Sequence, residues 1–360
     1  MAQLLKNLYN EEYILLLSQN IEEEFMEFES DKFIKSLFND EWKGRELKDR
    51  MRHISTMLGV YLPSEYVKAI SILKLAFQKM NFAYGLENMI FQDFVEVYGL
   101  DSLEISLDAL ESFTIHSSSE FAIRRFILKY PQESMKQLLL WAQSNNEHIR
   151  RLASEGSRPR LPWAIALPLF KRQPKEVLEI LELLKDDESK YVRKSVANNL
   201  NDISKDNPQI IKELTKNWLH YSDKRDALLK HGCRTLLKKS DTQVLELFGF
   251  ERPTNIYLDN FTFNEQVKMG EELAFTFELS TKKELGKLRI EFALHFLRKN
   301  SKQNKKVFKI AEGIYSGRHK TINKTYSFKT ISTRVYYRGL QKLSIIINGE
   351  VFKEVEFMLF

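Results

Sequence analysis

The amino-acid sequence predicts a multidomain α plus β protein. An all-α, HEAT-like repeat solenoid is expected over residues 1–252, followed by an immunoglobulin-like β-sandwich over 253–360. Three observations predict it. Apolar residues recur with helical period up to the stretch Gly249-Phe250-Glu251-Arg252-Pro253. From Gln132 onward the helical runs come in pairs, at a spacing of about 40 residues. Beyond Pro253 the apolar period becomes two.

Composition bounds the rest. A chain of 360 residues with 43% hydrophobic and 29% charged content can bury two separate cores. The net charge of +6 permits a polyanionic partner. Cys233 is the sole cysteine, so no intramolecular disulfide can form, which fits a reducing compartment. His53, His116, His148, His220, His231, His295 and His319 show no helical metal-ligand spacing. No metal is therefore expected. Met1-Ala2-Gln3-Leu4-Leu5 meets Glu11-Glu12 too soon for a signal peptide, and no apolar run approaches a membrane span. These features predict a cytoplasmic protein with no membrane association.

The elements follow in chain order. Ile14-Leu15-Leu16-Leu17 with Ile21, Phe25 and Phe28 give helical apolar spacing; Phe33, Leu37 and Phe38, then Leu47, Met51, Ile54 and Leu58, repeat the pattern. Leu62-Pro63-Ser64 reads as a loop, with Ser64 capping a helix that carries Val67, Ile70, Leu73 and Phe77. These helices hold no chemical motif and read as packing scaffold. Ser117-Ser118-Ser119 before Glu120 predicts a helix N-terminus with acid in its first turn. The paired runs are Met135–Gln143 with His148–Glu155, Pro174–Lys185 with Tyr191–Ile203, and Gln209–His220 with Lys224–Lys238. Registered against one another, they set Glu155, Asn198 and Arg234 at equivalent positions. Asn198 and Asp202 lie four apart, on one helical face with Lys194. In the last third, Leu273, Phe275, Phe277 and Leu279, then Leu288, Ile290, Phe292, Leu294 and Phe296, alternate with polar residues. Asn348-Gly349 predicts a hairpin turn. Loops carrying Arg298, Lys299, Lys302, Lys305, Lys306, Arg318, Lys320 and Lys324 are expected, either as a solvated surface or as phosphate contacts.

Two stretches, Arg150–Trp163 and Tyr191–Asp206, concentrate cations, carboxylates, Asn and one Trp between helical runs. Arg151, Arg158, Arg160, Arg193 and Lys194 are chemically able to grip phosphates. Glu155 and Asp202 serve either as members of an ion-pair network or as stabilisers of a developing positive charge that orient a water. Trp163, after Pro162 at an expected helix start, is either core or a stacking surface for a cationic base. The P-loop, Rossmann and nucleophile-elbow patterns are absent from the sequence.

Both stretches strongly resemble signature segments of AlkC-type bacterial DNA alkylation repair glycosylases. Glu120-Phe121-Ala122-Ile123-Arg124 looks like a third such segment, with Arg125 standing where the family more often has Pro. Ile347-Asn348-Gly349 resembles the β-domain that a subset carries. The resemblance implies hydrolysis of the N-glycosidic bond of cationic bases in duplex DNA, 3-methyladenine and 3-methylcytosine, leaving an abasic site without metal or cofactor. It implies Asp202 as the main catalytic carboxylate, with Glu155 and Glu120 near the lesion and Trp163 stacking on it. Arg151 would hold the backbone, and Arg158, Arg160, Arg193, Lys194, Asn198, Asn199 and Arg234 complete the expected DNA-binding set. The β-domain is expected to clamp a bent duplex, and the protein to act as a monomer. A helical scaffold that binds nucleic acid or protein without chemistry is the competing expectation, and an RNA-directed binder a third.

Overall fold

A computed structural model describes residues 4–80, 85–300, 302–331 and 334–360. The helices are α1 (Glu11–Glu24), α2 (Ser30–Leu37), α3 (Leu47–Tyr61), α4 (Tyr66–Lys79), α5 (Met89–Tyr98), α6 (Leu103–Thr114), α7 (Ile123–Lys129), α8 (Pro131–Trp141), α9 (Glu147–Gly156), α10 (Pro168–Arg172), α11 (Lys175–Leu184), α12 (Lys190–Ile203), α13 (Pro208–Trp218), α14 (Asp223–Gly232), α15 (Arg234–Lys238) and α16 (Thr242–Leu247). The strands are β1 (Ile256–Phe263), β2 (Gln266–Val267), β3 (Glu272–Thr281), β4 (Gly286–Leu297), β5 (Gln303–Tyr315), β6 (His319–Ser327), β7 (Gly339–Ile347) and β8 (Glu350–Leu359). One compact unit comprises Met1–Asn207 with His220–Gly232, and the second comprises Pro208–Leu219 with Cys233–Phe360. The secondary structure thus changes from helix to strand between Leu247 and Ile256, while α13, α15 and α16 group with the strands.

In the first unit, several helix starts have a local cause. Asn10 caps α1 by accepting from the Tyr13 amide at 2.8 Å, and Asn146 caps α9 by accepting from the His148 amide at 2.8 Å. Pro131 opens α8, where its missing N–H costs nothing. The expected Ser64 cap is displaced: α4 starts at Tyr66 behind Glu65. The apolar faces meet in a continuous interior, for example through the Phe77, Phe91 and Phe113 rings at centroid spacings of 4.9, 4.9 and 5.5 Å.

The repeat is built into the backbone as well as the pattern. Arg150, four residues after the α9 cap, donates to the carbonyls of Ser144 and Asn145, both at 3.0 Å. Arg193, four residues after the α12 cap, donates to the carbonyls of Asp187 and Glu188, at 2.5 and 2.8 Å. Arg150 also bridges the repeats, its fork resting on the Asp187 carboxylate at 2.6 and 3.0 Å. Counting from the helix starts, the α14 equivalent of Asn198 is His231, and the two side chains touch at 3.1 Å. The expected equivalence of Arg234 is corrected by this: α14 ends at Gly232, and Arg234 opens α15 in the second unit.

The second unit is a β-sandwich of two sheets, ordered β1-β3-β6 and β2-β8-β7-β4-β5. Its core holds Leu273, Phe275, Phe277 and Leu279 from β3 against Leu288, Ile290, Phe292 and Leu294 from β4, as the period-two alternation predicts. Asn348 and Gly349 form the β7–β8 turn with φ of 45° and 86°. Asn348 does more than turn the chain, because its side chain also accepts from the Arg289 amide and donates to the Glu251 carbonyl. Arg289 and Glu291, on the polar side of the β4 alternation, are buried, with Arg289 bonding Glu291 and Glu312 at 2.6 Å each. One expectation fails here. Of the eight basic residues assigned to loops, Lys305, Lys306, Lys320 and Lys324 lie on β5 and β6. Both are edge strands, where exposed lysines discourage pairing with another chain.

Candidate active site

Three segments of the first unit bring the carboxylates together: the turn before α7 (Glu120), α9 (Glu155) and α12 (Asp202). Cations alternate with them. Arg151 pairs with Glu120, and its guanidinium lies 3.7 Å from Glu155. Arg158 donates to Glu155 Oε1 at 2.6 Å and to Asp202 Oδ2 at 2.8 Å. Lys205 closes the series on Asp202 Oδ1 at 2.9 Å. Hydroxyls take up remaining acceptor capacity: Ser118 Oγ donates to Glu120 Oε2 at 2.6 Å and Ser195 Oγ to Glu155 Oε2 at 2.5 Å.

This series is buried at its centre. The side chains of Asp202, Glu155 and Arg158 are 2%, 7% and 8% exposed, so each ion depends on its neighbours rather than on water. Burial acts to lower the Arg158 pKa, but Glu155 and Asp202 outweigh it and hold the guanidinium above its ordinary value. Arg124, also buried, is pushed down to about 10, first by burial and then by the neighbouring Arg158 cation. It donates to the carbonyls of Gly156, Arg158 and Ile165 at 3.0, 2.7 and 2.6 Å. The loop between α9 and α10 is thereby tied down at both ends.

That loop displays Trp163. The sequence suggests a helix start here, but Trp163 lies in a turn with φ of 62°, and α10 starts only at Pro168. The core alternative also fails, because the residue is 69% exposed. A bulky residue in the left-handed region, with its ring in solvent, points to use rather than to packing. Its carbonyl accepts from Lys48 on α3 at 2.8 Å.

The other predicted residues divide. Lys194 is exposed on α12 and, with Lys190, Arg193, Lys224 and His231, lines a groove between α12 and α14. Asn198 meets His231 beside it. Arg160 grips Asp206 through two bonds, of 2.9 and 2.5 Å, and holds that carboxyl below its ordinary pKa. Asn199 is buried, donating to the Ser154 carbonyl at 2.8 Å and to Ser157 Oγ at 3.2 Å. Arg193 is engaged by the turn carbonyls already described. Sequence reasoning missed Ser118, Arg124, Ser195 and Lys205, all of which lie within or next to the motif segments. It also missed Lys48, for which no sequence signal exists. Among the described residues, no group of three or more His, Cys, Asp and Glu is placed to hold a metal ion. No described helix is long and apolar enough to cross a membrane.

The fold defines a helical-repeat protein with an immunoglobulin-like domain, and the comparisons with known proteins place it in DNA alkylation repair. The family described as "DNA alkylation repair enzyme" matches residues 91–236, and "Uncharacterised protein YhaZ, C-terminal Ig-like domain" matches 258–360. The YhaZ protein of Bacillus subtilis (strain 168) is 43% identical over 357 residues, 99% of each chain. The Pseudomonas fluorescens alkylpurine DNA glycosylase AlkC, solved bound to DNA containing an abasic site analog, superimposes with a TM-score of 0.94. It is 30% identical, with 99% of this chain and 100% of that chain covered. The chain belongs to the AlkC-type family of DNA alkylation repair glycosylases.

Proposed function

We propose that this chain is a DNA glycosylase that removes alkylated bases from duplex DNA. Its substrates are cationic bases, 3-methyladenine and 3-methylcytosine, and its product is an abasic site. The observation that carries the reading is the charge series Glu120, Arg151, Glu155, Arg158 and Asp202, buried at its centre, together with an exposed, conformationally constrained Trp163.

The chemistry asks little of the enzyme. A base alkylated on a ring nitrogen is already positively charged, so the C1′–N bond breaks with its electron pair going to the base, which leaves neutral. Positive charge then builds on the sugar. Fixed carboxylates in a region shielded from water stabilise that charge better than water does. In this reading Asp202 faces the sugar and accepts the proton of the water whose oxygen bonds to C1′. Glu155 and Glu120 add negative potential. Trp163 stacks on the cationic base. Arg158 bridges the two close carboxylates, donating to both. Arg151 joins it in ordering them and holds the adjacent backbone. Lys194, Asn198 and Arg160 supply phosphate contacts from α12 and the loop, and Arg234, with the exposed lysines of the sandwich, adds more. Arg193 and Asn199 contribute by fixing α12.

The test is base release from methylated duplex DNA, with Asp202→Asn as the control. Release by the native chain is expected, with loss of release in Asp202→Asn and DNA affinity kept within a few-fold. Intact DNA after incubation with folded protein refutes the reading. Salt-sensitive binding with no preference for methylated DNA would instead identify a scaffold.

A further inference from the structure

The turn that displays Trp163 is held by a side chain from a distant part of the first unit. Lys48, on α3, lies 115 residues earlier in the chain, yet its ammonium donates to the Trp163 carbonyl at 2.8 Å. The same ammonium sits 4.7 Å from the centre of the Phe121 ring, next to Glu120. One cation therefore joins the Trp163 turn to the segment that carries a site carboxylate. Other bonds close the turn and fix its flanks: the Ala164 amide donates to the Leu161 carbonyl at 3.3 Å, Arg160 grips Asp206, Arg124 holds the Arg158 and Ile165 carbonyls, and the Leu167 amide donates to the Pro159 carbonyl at 3.2 Å. Among the described residues, Lys48 supplies the side-chain bond to Trp163 itself. With its indole in solvent and its φ at 62°, Trp163 takes its direction from its backbone and not from a surrounding core. Such a conformation persists where neighbouring groups impose it.

We propose that Lys48 is a positioning residue: by bonding the Trp163 carbonyl and resting on the Phe121 ring, it holds the indole in the direction from which it stacks on the alkylated base. The final clause rests on the function proposed above; the restraint on Trp163 does not. Lys48 is exposed, so Lys48→Met leaves the core intact.

The experiment labels the full chain with 5-fluorotryptophan and assigns the Trp163 resonance as the one missing from Trp163→Phe. In Lys48→Met that resonance is expected to shift or broaden while those of Trp42, Trp141 and Trp218 stay. Lys48→Arg, which keeps a donor, is expected to restore it. Single-turnover base release is expected to fall about tenfold in Lys48→Met, with DNA affinity within twofold. An unmoved Trp163 resonance overturns the proposal. So does a loss of DNA affinity as large as the loss of release, which would make Lys48 a plain phosphate contact. If the native chain releases no base, the function fails while the resonance still decides the role of Lys48.

Discussion

Removing the cation between two buried carboxylates is the most direct way to probe this site. In Arg158→Met, Asp202 Oδ2 and Glu155 Oε1 lose donors at 2.8 and 2.6 Å, and a group of similar length but no charge fills the space. At an effective dielectric constant near 20 each contact is worth about 4 kcal/mol of attraction at ~4 Å between charge centres, much of it offset by the cost of burial. Breaking a buried pair while leaving its partner costs about 3–5 kcal/mol. Lys205 remains on Asp202 and Ser195 on Glu155, so the lower end, about 3 kcal/mol, is expected. For a unit of this size that is a fall of roughly 6–12 °C in Tm. Urea unfolding of the full chain followed by circular dichroism measures it, with Asp202→Asn and the double variant completing a cycle. In the cycle, Asp202→Asn should relieve part of the Arg158→Met loss, since one of the two stranded charges is gone. A loss below about 1 kcal/mol, or strictly additive variants, would show that the two carboxylates do not depend on Arg158 and would refute the reasoning.

Three further outcomes follow from the same structure. Asp187→Ala removes the acceptor of the Arg150 fork, whose partners are 11% and 4% exposed, and should cost about 2–3 kcal/mol in unfolding free energy; a value under about 1 would make the inter-repeat bridge ornamental. Gly349→Ala places a methyl 2.5 Å from Leu245 Cδ1 on a backbone with φ of 86°, and should destabilise the sandwich by about 1–3 kcal/mol, read as earlier loss of its thermal transition. Asp206, bonded by Arg160, has its folded pKa below the unfolded value near 4; its contribution is complete above the unfolded value and is lost as pH falls through the folded one. Because this pair is partly exposed, Arg160→Ala should flatten the stability-against-pH curve below about pH 4 by less than about 1 kcal/mol, and high salt should shrink the difference.

Much of the fold was legible because period decides it. The alternation in β3 and β4 and the Asn348-Gly349 turn translate into strands and a hairpin with little help from tertiary structure. The carboxylates were legible as residues, but their bridge was not: Arg158 follows Glu155 by three, beyond the last turn of α9, so helical spacing alone cannot aim it at Asp202. Trp163 was misplaced because Pro162 mimics a helix opening, whereas the turn depends on Arg124 and Lys48, contacts made across long stretches of chain. Lysines on β5 and β6 look like loop residues because edge strands need no apolar alternation on their outer side. The burial of Glu291 was hidden because alternation marks a polar position as wet, whereas in the fold it is buried against its partner Arg289.

Glu155 and Asp202 sit on neighbouring copies of the same helix, and no single copy owns the site. The packing of α9 on α12 therefore sets the spacing of these charges. Lengthening the array outside residues 120–206 leaves the spacing of the charges intact, while one extra copy between α9 and α12 would part Arg158 from Asp202 and break that buried pair.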